Sequence, residues 1–169
     1  IDLQGKDVTP VPVFSGKFDG AGHTISGVEI SSAGSTMGLF SILDTEGEIR
    51  NLTVSGAITP EGEGKTVGGI VGENSGTIEN SAFLGSLIGS SDVGGIAGRN
   101  TLSGSIIGCI CGGEIIGDGV VGGIAGRNEG LISDCVSSAK VNTIAITPTI
   151  SLDDINLSLT IDITKLPTL

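Results

Sequence analysis

The sequence contains very few aromatic side chains: four Phe, no Trp and no Tyr among 169 residues. Large aromatic side chains supply much of the buried area in an ordinary globular core. Without them, the core must be built from Ile, Val, Leu and small residues, which suit a narrow interior better than a broad one. The length is that of one domain and is sufficient for a hydrophobic core. We therefore favour a stacked architecture.

Basic residues are also scarce. Lys and Arg number 8 against 19 Asp and Glu, which gives a formal net charge of -11, and only 16% of the residues are charged. A nucleic-acid-binding surface needs positive charge to neutralise phosphates. The composition therefore excludes DNA and RNA as expected partners.

The three cysteines are odd in number and form no CxxC pair, so they supply neither a disulfide framework nor a zinc-ligand set. No apolar run reaches the roughly 18 residues of a membrane span, and we find no secretory signal peptide. The chain opens at Ile1 in the middle of a strand-like pattern, Ile-Asp-Leu. We therefore expect it to be an excised or mature fragment whose export signal would lie upstream.

Glycine, in contrast, is abundant: 30 of 169 residues, more than double the usual share of roughly 7%. Much of it lies in a repeated octapeptide, which reads VGGIVGEN from Val67 and VGGIAGRN from both Val93 and Val121. The starts are 26 and 28 residues apart, and self-similarity at such a period indicates a solenoid, propeller or array. With two weaker copies nearer the amino terminus, we count about five units.

Alignment of the units predicts columns of equivalent residues. The first column consists of Ile25, Ile49, Ile78, Ile106 and Ile132. The second consists of Val28, Leu52, Ser81, Cys109 and Cys135, and the third of Ile30, Val54, Phe83, Cys111 and Ser137. Such columns are expected where each unit lies directly over the next and like packs on like.

Within each unit, apolar and polar residues alternate in short runs, and no segment has a helical period. This alternation is typical of strands with one buried face. The sequence therefore predicts an all-β fold: a single-stranded parallel β-helix over residues 1–141, with about five coils of three short strands each. Neighbouring coils would lie about 4.8 Å apart, and glycine would form the bends because it has no Cβ.

Two columns of polar residues are expected at the bends. Asn74, Asn100 and Asn128 form one, with Asp44 as its earlier member, and we interpret it as a structural asparagine ladder in which stacked side chains bond one another and the turn backbone. The other contains Asn51, Asn80 and Asp134, with Gly27 and Gly108 at the remaining positions.

Cys109 and Cys135 fall in one column, so adjacent coils would place them side by side. A disulfide between them is conceivable, but in-register neighbours seldom offer the required torsion. We favour free thiols that act as small core hydrophobes.

VGGIVGEN and VGGIAGRN, followed by Gly-x-Ile-x-Asn-Ser, resemble the GLUG repeat of bacterial surface proteins, adhesins and the amino-terminal regions of immunoglobulin-A-cleaving metalloproteases. FSGKFDGAGHTISGVEI, from Phe14, is similar to the opening coil that precedes such repeats. The likeness covers roughly residues 1–141 and is looser over residues 37–58. It implies a right-handed parallel β-helix, exported, with a structural or adhesive role, and it provides no catalytic residues.

Residues 142–169 depart from the repeat. They contain no glycine and alternate strictly between apolar and polar from Ile155 to Ile163. We expect one or two strands here, which either cap the open end of the coil, where unpaired edges would otherwise be exposed, or begin a following module. The cap is the favoured interpretation.

Candidate chemical sites are weak. Gly64-Lys65-Thr66 resembles the end of a phosphate loop, but Thr59 replaces the required glycine and no strand-loop-helix context follows. His23 is the only histidine, and one histidine without partners suits a turn or surface position better than a triad or metal site. We therefore predict no catalytic residue, cofactor or metal.

Two further polar groups suit a surface role. Asp19, Asp118 and the Asp153-Asp154 pair lie near acidic or glycine-rich turns, but they lack calcium-loop spacing. Arg99 and Arg127 share a column below Glu73 and are interpreted as a solvated stripe.

Three functions remain open. The favoured one is a non-catalytic structural or adhesive module of an exported bacterial surface protein, with an unknown protein or glycan as partner. The second is a glycan-binding or carbohydrate-active β-helix, although such grooves generally use aromatic surfaces and paired carboxylates, and fold alone does not establish function. The third is the non-catalytic amino-terminal region of a large secreted protease.

Overall fold

A computed structural model describes residues 1–142 of the chain. In this part the protein is all-β, contains no helix, and stacks its strands in parallel into a solenoid of about five turns. The predicted fold class is therefore confirmed. The predicted cap concerns residues 143–169, which lie outside the described residues.

Twenty-one strands follow one another in the described part of the chain. They are β1 Asp2–Asp7, β2 Val11–Phe14, β3 Lys17–Asp19, β4 Thr24–Ile30, β5 Thr36–Met37, β6 Phe40–Leu43, β7 Glu48–Arg50, β8 Thr53–Ile58, β9 Thr66–Gly68, β10 Val71–Asn74, β11 Thr77–Glu79, β12 Ala82–Gly89, β13 Asp92–Gly94, β14 Ala97–Asn100, β15 Ser105–Ile107, β16 Ile110–Gly117, β17 Val120–Gly122, β18 Ala125–Asn128, β19 Leu131–Ser133, β20 Val136–Ser137 and β21 Lys140–Val141.

The strands form four parallel sheets that run along the length of the solenoid. Sheet A has the order β1-β4-β8-β12-β16-β20, with β21 also paired to β16; sheet B is β2-β6-β10-β14-β18, sheet C is β3-β7-β11-β15-β19, and sheet D is β5-β9-β13-β17. A full coil therefore has four strands, one more than predicted. The difference arises in the repeated octapeptide, whose two halves belong to sheets D and B.

The glycine pair of the octapeptide makes the corner between sheets D and B. A Cβ on Gly94 would lie 2.0 Å from the carbonyl oxygen of Ala97, and one on Gly95 would lie 2.1 Å from Sγ of Cys111. Only glycine fits where the backbone approaches its neighbours this closely. The same contact recurs one coil earlier, where a Cβ on Gly69 would lie 2.2 Å from the Phe83 ring.

A second corner, between sheets C and A, uses the left-handed backbone conformation in successive coils. Asn51, Asn80, Gly108 and Asp134 have φ of 53°, 47°, 62° and 56°. Asparagine, aspartate and glycine are the residues that adopt this conformation at least cost, which explains their recurrence. Gly27, predicted to belong here, instead lies within β4.

In sheet C, Ile49, Ile78, Ile106 and Ile132 pair in register. The position before Ile49 is occupied by Phe18, so the assignment of Ile25 to this column is wrong. Ile25 pairs with Val54 in sheet A. Four residues, Gly20 to His23, separate β3 from β4, whereas two separate β7 from β8, and this insertion shifts the alignment of the first coil.

The first members of the other two predicted columns, Val28 and Ile30, are also misassigned. Ile30 pairs with Ile58 and Val28 with Gly56, so neither belongs to the column in which it was predicted. The register of β4 also shifts between Ile25 and Val28, where a bulge interrupts the pairing. From Val54 onward the third column is in register, with Phe83, Cys111 and Ser137 following.

The core is the interior of the coil. Ile49, Ile78 and Ile106 are fully buried, and burial of a side chain of this size contributes on the order of 1.5–3 kcal/mol. Ile132, in the last described coil, is partly buried and packs against the same cluster.

Candidate functional site

Asn74, Asn100 and Asn128 stack on one another at the ends of the sheet B strands. The amide of Asn74 donates to Oδ1 of Asn100 across 2.7 Å, and the amide of Asn100 donates to Oδ1 of Asn128 across 2.8 Å. Asn74 and Asn100 are fully buried. Buried amides are stable only when their hydrogen bonds are made, and this arrangement provides them.

The ladder also binds the turn backbone. Oδ1 of Asn74 accepts a hydrogen bond from the backbone N–H of Gly76 at 3.1 Å, and the amide of Asn100 lies 3.3 Å from the carbonyl oxygens of Gly104 and Leu131. The ladder therefore joins three coils and fixes the turns that follow β10 and β14.

The assignment of Asp44 to this column is wrong. The residue paired with Asn74 is Leu43, which is fully buried. Asp44 lies one residue further on and accepts a hydrogen bond from the N–H of Thr45 at 2.7 Å. The polar ladder therefore begins at Asn74, and the same column is apolar in the two coils before it, where Leu43 pairs with Phe14.

Leu52, Ser81, Cys109 and Cys135 occupy equivalent positions beside the left-handed corner, as the backbone bonds of the residues that follow them show. The backbone N–H of Leu52 donates to Oγ of Ser81 at 3.2 Å, and that of Cys109 donates to Sγ of Cys135 at 3.4 Å. The Ser81 hydroxyl and the Cys135 thiol thus each accept from the backbone of the coil before their own.

The cysteines are free thiols. Burial raises the pKa of Cys109 to about 12 and that of Cys111 to about 11. A thiol reacts as the thiolate, so these two groups are poor nucleophiles near neutral pH. Their geometry suits packing and weak hydrogen bonding.

Arg127 and Arg99 follow Glu73 along the outer face of sheet B, as the register requires. Their ion pairs, however, are made outside sheet B, with a strand of sheet D in one case and with the turn after β18 in the other. Arg127 bonds both carboxylate oxygens of Asp92 at 3.0 and 3.3 Å, and Asp92 is 7% exposed. Arg99 bonds Glu129 at 3.0 Å. The Arg127–Asp92 pair connects sheets B and D and is more than a solvated stripe.

A second group of ion pairs lies on the outer face of sheet C. Lys17 bonds Glu48 at 2.9 Å, and Arg50 bonds Asp19 at 3.0 Å. The side-chain amide of Asn51 and the backbone N–H of Ala21 donate to Asp19 and hold the pKa of its carboxyl below the usual value. These contacts fasten the insertion in the first coil.

The remaining candidates within residues 1–142 lie in loops or at the start of a strand. His23 is exposed in the loop before β4, and Asp118 is exposed in the loop before β17. Gly64-Lys65-Thr66 enters strand β9 and is followed by no helix within residues 1–142, so the phosphate-loop context is absent there. Asp153-Asp154 lies outside the described residues.

In the part of the chain that the structure describes, no three His, Cys, Asp or Glu side chains are grouped to hold a metal ion. At the amino-terminal end, an apolar groove of about 300 Å³ is lined by Val11, Phe14, Phe18, Ile25, Leu39 and Phe40. No residue in it brings a nucleophile or a general base to the groove.

Sequence reasoning missed an apolar surface on the outside of sheet A. Five large side chains there are 39–62% exposed, and we call them the apolar face: Leu84, Ile88, Ile110, Ile116 and Val136. The inward positions of the same strands are also apolar, for example the fully buried Phe83, Leu87 and Ile115. The sequence does contain a sign of this surface. In β12 and β16, apolar residues occupy both the inward and the outward positions, and such a pattern predicts a strand with two apolar faces.

Comparison with known proteins gives local similarities. Over 91 residues the chain is 40% identical to a protein named Halomucin from Haloquadratum walsbyi, an alignment covering 53% of this chain and 1% of that protein. Over 69 residues it is 39% identical to a "Putative Gly-rich membrane protein" from Evansella cellulosilytica, covering 40% of this chain and 8% of that protein. The similarity therefore concerns a small part of each relative.

No protein-family model matches the chain, so membership of the GLUG repeat family stays a prediction. No solved structure matches it either. Within residues 1–142, none of the secondary-structure elements is a helix of the length and hydropathy needed to span a bilayer.

Proposed function

We propose that this chain is a non-catalytic structural or adhesive module of an exported cell-surface protein. The observation that carries the proposal is the stacking of equivalent residues in register, through sheets A to D, around a continuous apolar interior. Each coil adds roughly 4.8 Å of height, and the ladders at the corners connect coil to coil. Such a solenoid is suited to serve as a stiff spacer.

The names of the two relatives support an exposed location, since one is Halomucin and the other a "Putative Gly-rich membrane protein". The aligned segments are small fractions of those proteins, so their whole activities and partners are not transferred to this chain. The expectation of a bacterial source stays a prediction, because the names point to a surface and not to one kind of organism.

The non-catalytic part of the proposal is supported by where the reactive groups lie. His23 is exposed in a turn, two of the three thiols are buried with raised pKa values, and the buried carboxylate of Asp92 is bonded to Arg127. The thiols and Asp92 do not share a groove with His23. The cavity that His23 lines also contains Asp19, whose carboxylate is already bonded to Arg50 and Asn51.

Location can be tested on intact cells that produce the protein naturally. Limited protease treatment of whole cells, followed by mass spectrometry, should release peptides from this chain while cytoplasmic marker proteins stay intact. Recovery of the peptides only after lysis would overturn the exported location. The full-length sequence should contain an export signal or a cell-wall anchor, whereas an HExxH motif would support the protease-associated alternative.

The structural role needs a separate test. A purely structural spacer should show no turnover of polysaccharides and no selective binding on a glycan array. Selective binding of one glycan class would favour the glycan-binding alternative, and release of reducing ends from a polysaccharide would contradict the non-catalytic role.

A further inference from the structure

The apolar face has an unusual charge environment for this protein. The chain has a formal net charge of -11, yet among the outward side chains of β8, β12 and β16 in the described structure the one charged group is Glu114. Lys140 in β21 pairs directly with it in the register of sheet A. This region is therefore close to electrically neutral.

The other outer faces carry most of the ionic groups. Sheet C presents Glu48 and Glu79, and sheet B presents Glu73 beside Arg99. Two copies of an acidic chain repel each other, and the repulsion is smallest where acidic groups are absent or balanced by a base. The apolar face has Glu114 as its one acid, next to Lys140, and contact there also removes apolar surface from water.

We propose that the apolar face is a self-association surface, on which a second copy of this chain packs through its own apolar face. Such an interface is isologous, with the same residues contributed by both copies. Exposed apolar patches on proteins mark interaction surfaces of this kind, and two sheets that pack face to face lie about 10 Å apart. The dimer is independent of where the protein resides, so its test is separate from that of the proposed function.

The register of sheet A specifies the arrangement. A two-fold axis that lies in the interface, parallel to the strands, and between β16 and β21 places each Glu114 opposite Lys140 of the other copy. Ile110 pairs with Val136 between the same two coils. The axis therefore also places each Ile110 opposite Val136 of the other copy. With this axis the facing strands are β16, β20 and β21 of each copy, and the two symmetric ion pairs fix the orientation.

The first experiment is sedimentation velocity of the full chain over a wide range of concentrations. We expect a concentration-dependent dimer for the wild type and a monomer for Ile110→Asp. The matched control is Leu102→Asp, which introduces the same charge at an 82% exposed position outside sheet A and should leave the dimer unchanged. Thermal melts of both variants verify that they fold.

A charge exchange tests the orientation without disturbing the apolar contacts. Glu114→Lys and Lys140→Glu should each weaken the dimer, because each places like charges opposite one another, and the double variant should restore it. A wild-type chain that stays monomeric at every concentration would overturn the proposal. So would equal loss of the dimer in Ile110→Asp and Leu102→Asp, or failure of the double exchange to restore association.

Discussion

The side-chain amide of Asn74 donates a hydrogen bond to Oδ1 of Asn100 across 2.7 Å, and both residues are fully buried. The bond joins two coils that are 26 residues apart in the chain. Since the interior has a low effective dielectric, such a bond is strong when made and costly when broken. The asparagine ladder is therefore a structural element of the coil.

Asn100→Asp should destabilise the protein at neutral pH by about 2–4 kcal/mol. A carboxylate cannot donate to Oδ1 of Asn128 or to the carbonyl of Gly104, which the amide of Asn100 approaches at 2.8 and 3.3 Å. Burial and these facing oxygens raise the pKa of the introduced acid, so the neutral form is favoured in the folded state. Stability should thus recover as pH falls and be lost as pH rises through that raised pKa.

Denaturant unfolding at neutral and mildly acidic pH measures this effect. The control is Asn128→Asp, because Asn128 is exposed in the last described coil and should show a smaller loss with little pH dependence. Equal losses at the two positions would contradict the importance of the buried ladder.

The columns of the later coils could be predicted from the sequence because these units have nearly constant length. Where the unit step is 26 or 28 residues, self-similarity alone aligns Ile78, Ile106 and Ile132 as the register has them. The first coil could not be aligned in this way. Its two additional corner residues and the bulge in β4 move Ile25 out of the column, and neither feature repeats.

The polar contacts were less predictable. A ladder can be inferred when identical side chains recur at one period, as for Asn100 and Asn128, but Asp44 shows that chemical similarity at a nearby position is insufficient. The Arg127–Asp92 pair joins residues 35 apart in sequence, a separation that matches no repeat period. The apolar face was missed because hydrophobicity alone does not show which of the two apolar faces of a strand is covered by other parts of the protein.

Ile106→Asp should prevent folding. Ile106 is fully buried between Ile78 and Ile132, and the substitution removes apolar contacts while it places a charge in the core without a partner. The combined cost is comparable with the total stability of a domain, about 5–15 kcal/mol. Ile78→Asp should behave alike.

A thermal melt followed by circular dichroism tests this prediction. The matched control is Ser105→Asp, which introduces the same charge one residue earlier, where the side chain is only partly buried. A melting temperature for Ile106→Asp within a degree or two of the wild type would show that the column does not determine stability.

Folding stability should decrease at alkaline pH because of the buried thiols. The pKa values of Cys109 and Cys111 are raised from 9.0 to about 12 and about 11 in the folded state. A raised pKa means that the folded chain retains a proton that the unfolded chain has lost. Stability is therefore full below about pH 9 and is lost as pH rises toward 11–12, by up to about 1.4 kcal/mol per pH unit and thiol.

The comparison protein is the Cys109→Ser, Cys111→Ala double variant, measured by denaturant unfolding from neutral pH to pH 11. Its stability should fall less steeply between pH 9 and 11 than that of the wild type, whatever its stability at neutral pH. Parallel curves for the two proteins would show that these thiols do not titrate on unfolding.

Gly95→Ala should be strongly destabilising. The added Cβ would lie 2.1 Å from Sγ of Cys111 and 2.3 Å from the carbonyl oxygen of Gly123, so the corner between sheets D and B must open. Gly64→Ala is the control, since a Cβ there meets nothing within 4 Å and the cost is limited to the strain of its φ of +70°, about 1 kcal/mol. Chemical denaturation compares the two, and similar losses would mean that close packing at the corner is unimportant.

The ion pair between Arg127 and Asp92 should couple more strongly than the pair between Arg99 and Glu129. Both have donor–acceptor distances of 3.0 Å, but the side chain of Asp92 is 10% exposed, whereas that of Glu129 is 35% exposed. Exposed pairs contribute little because water screens them.

Double-mutant cycles with Asp92→Ala and Arg127→Ala, and with Glu129→Ala and Arg99→Ala, measure the two couplings in denaturant unfolding. A larger coupling for Arg127–Asp92 is expected because the buried carboxylate would lose its charged partner. A coupling no larger than that of Arg99–Glu129 would show that burial of Asp92 does not strengthen the pair.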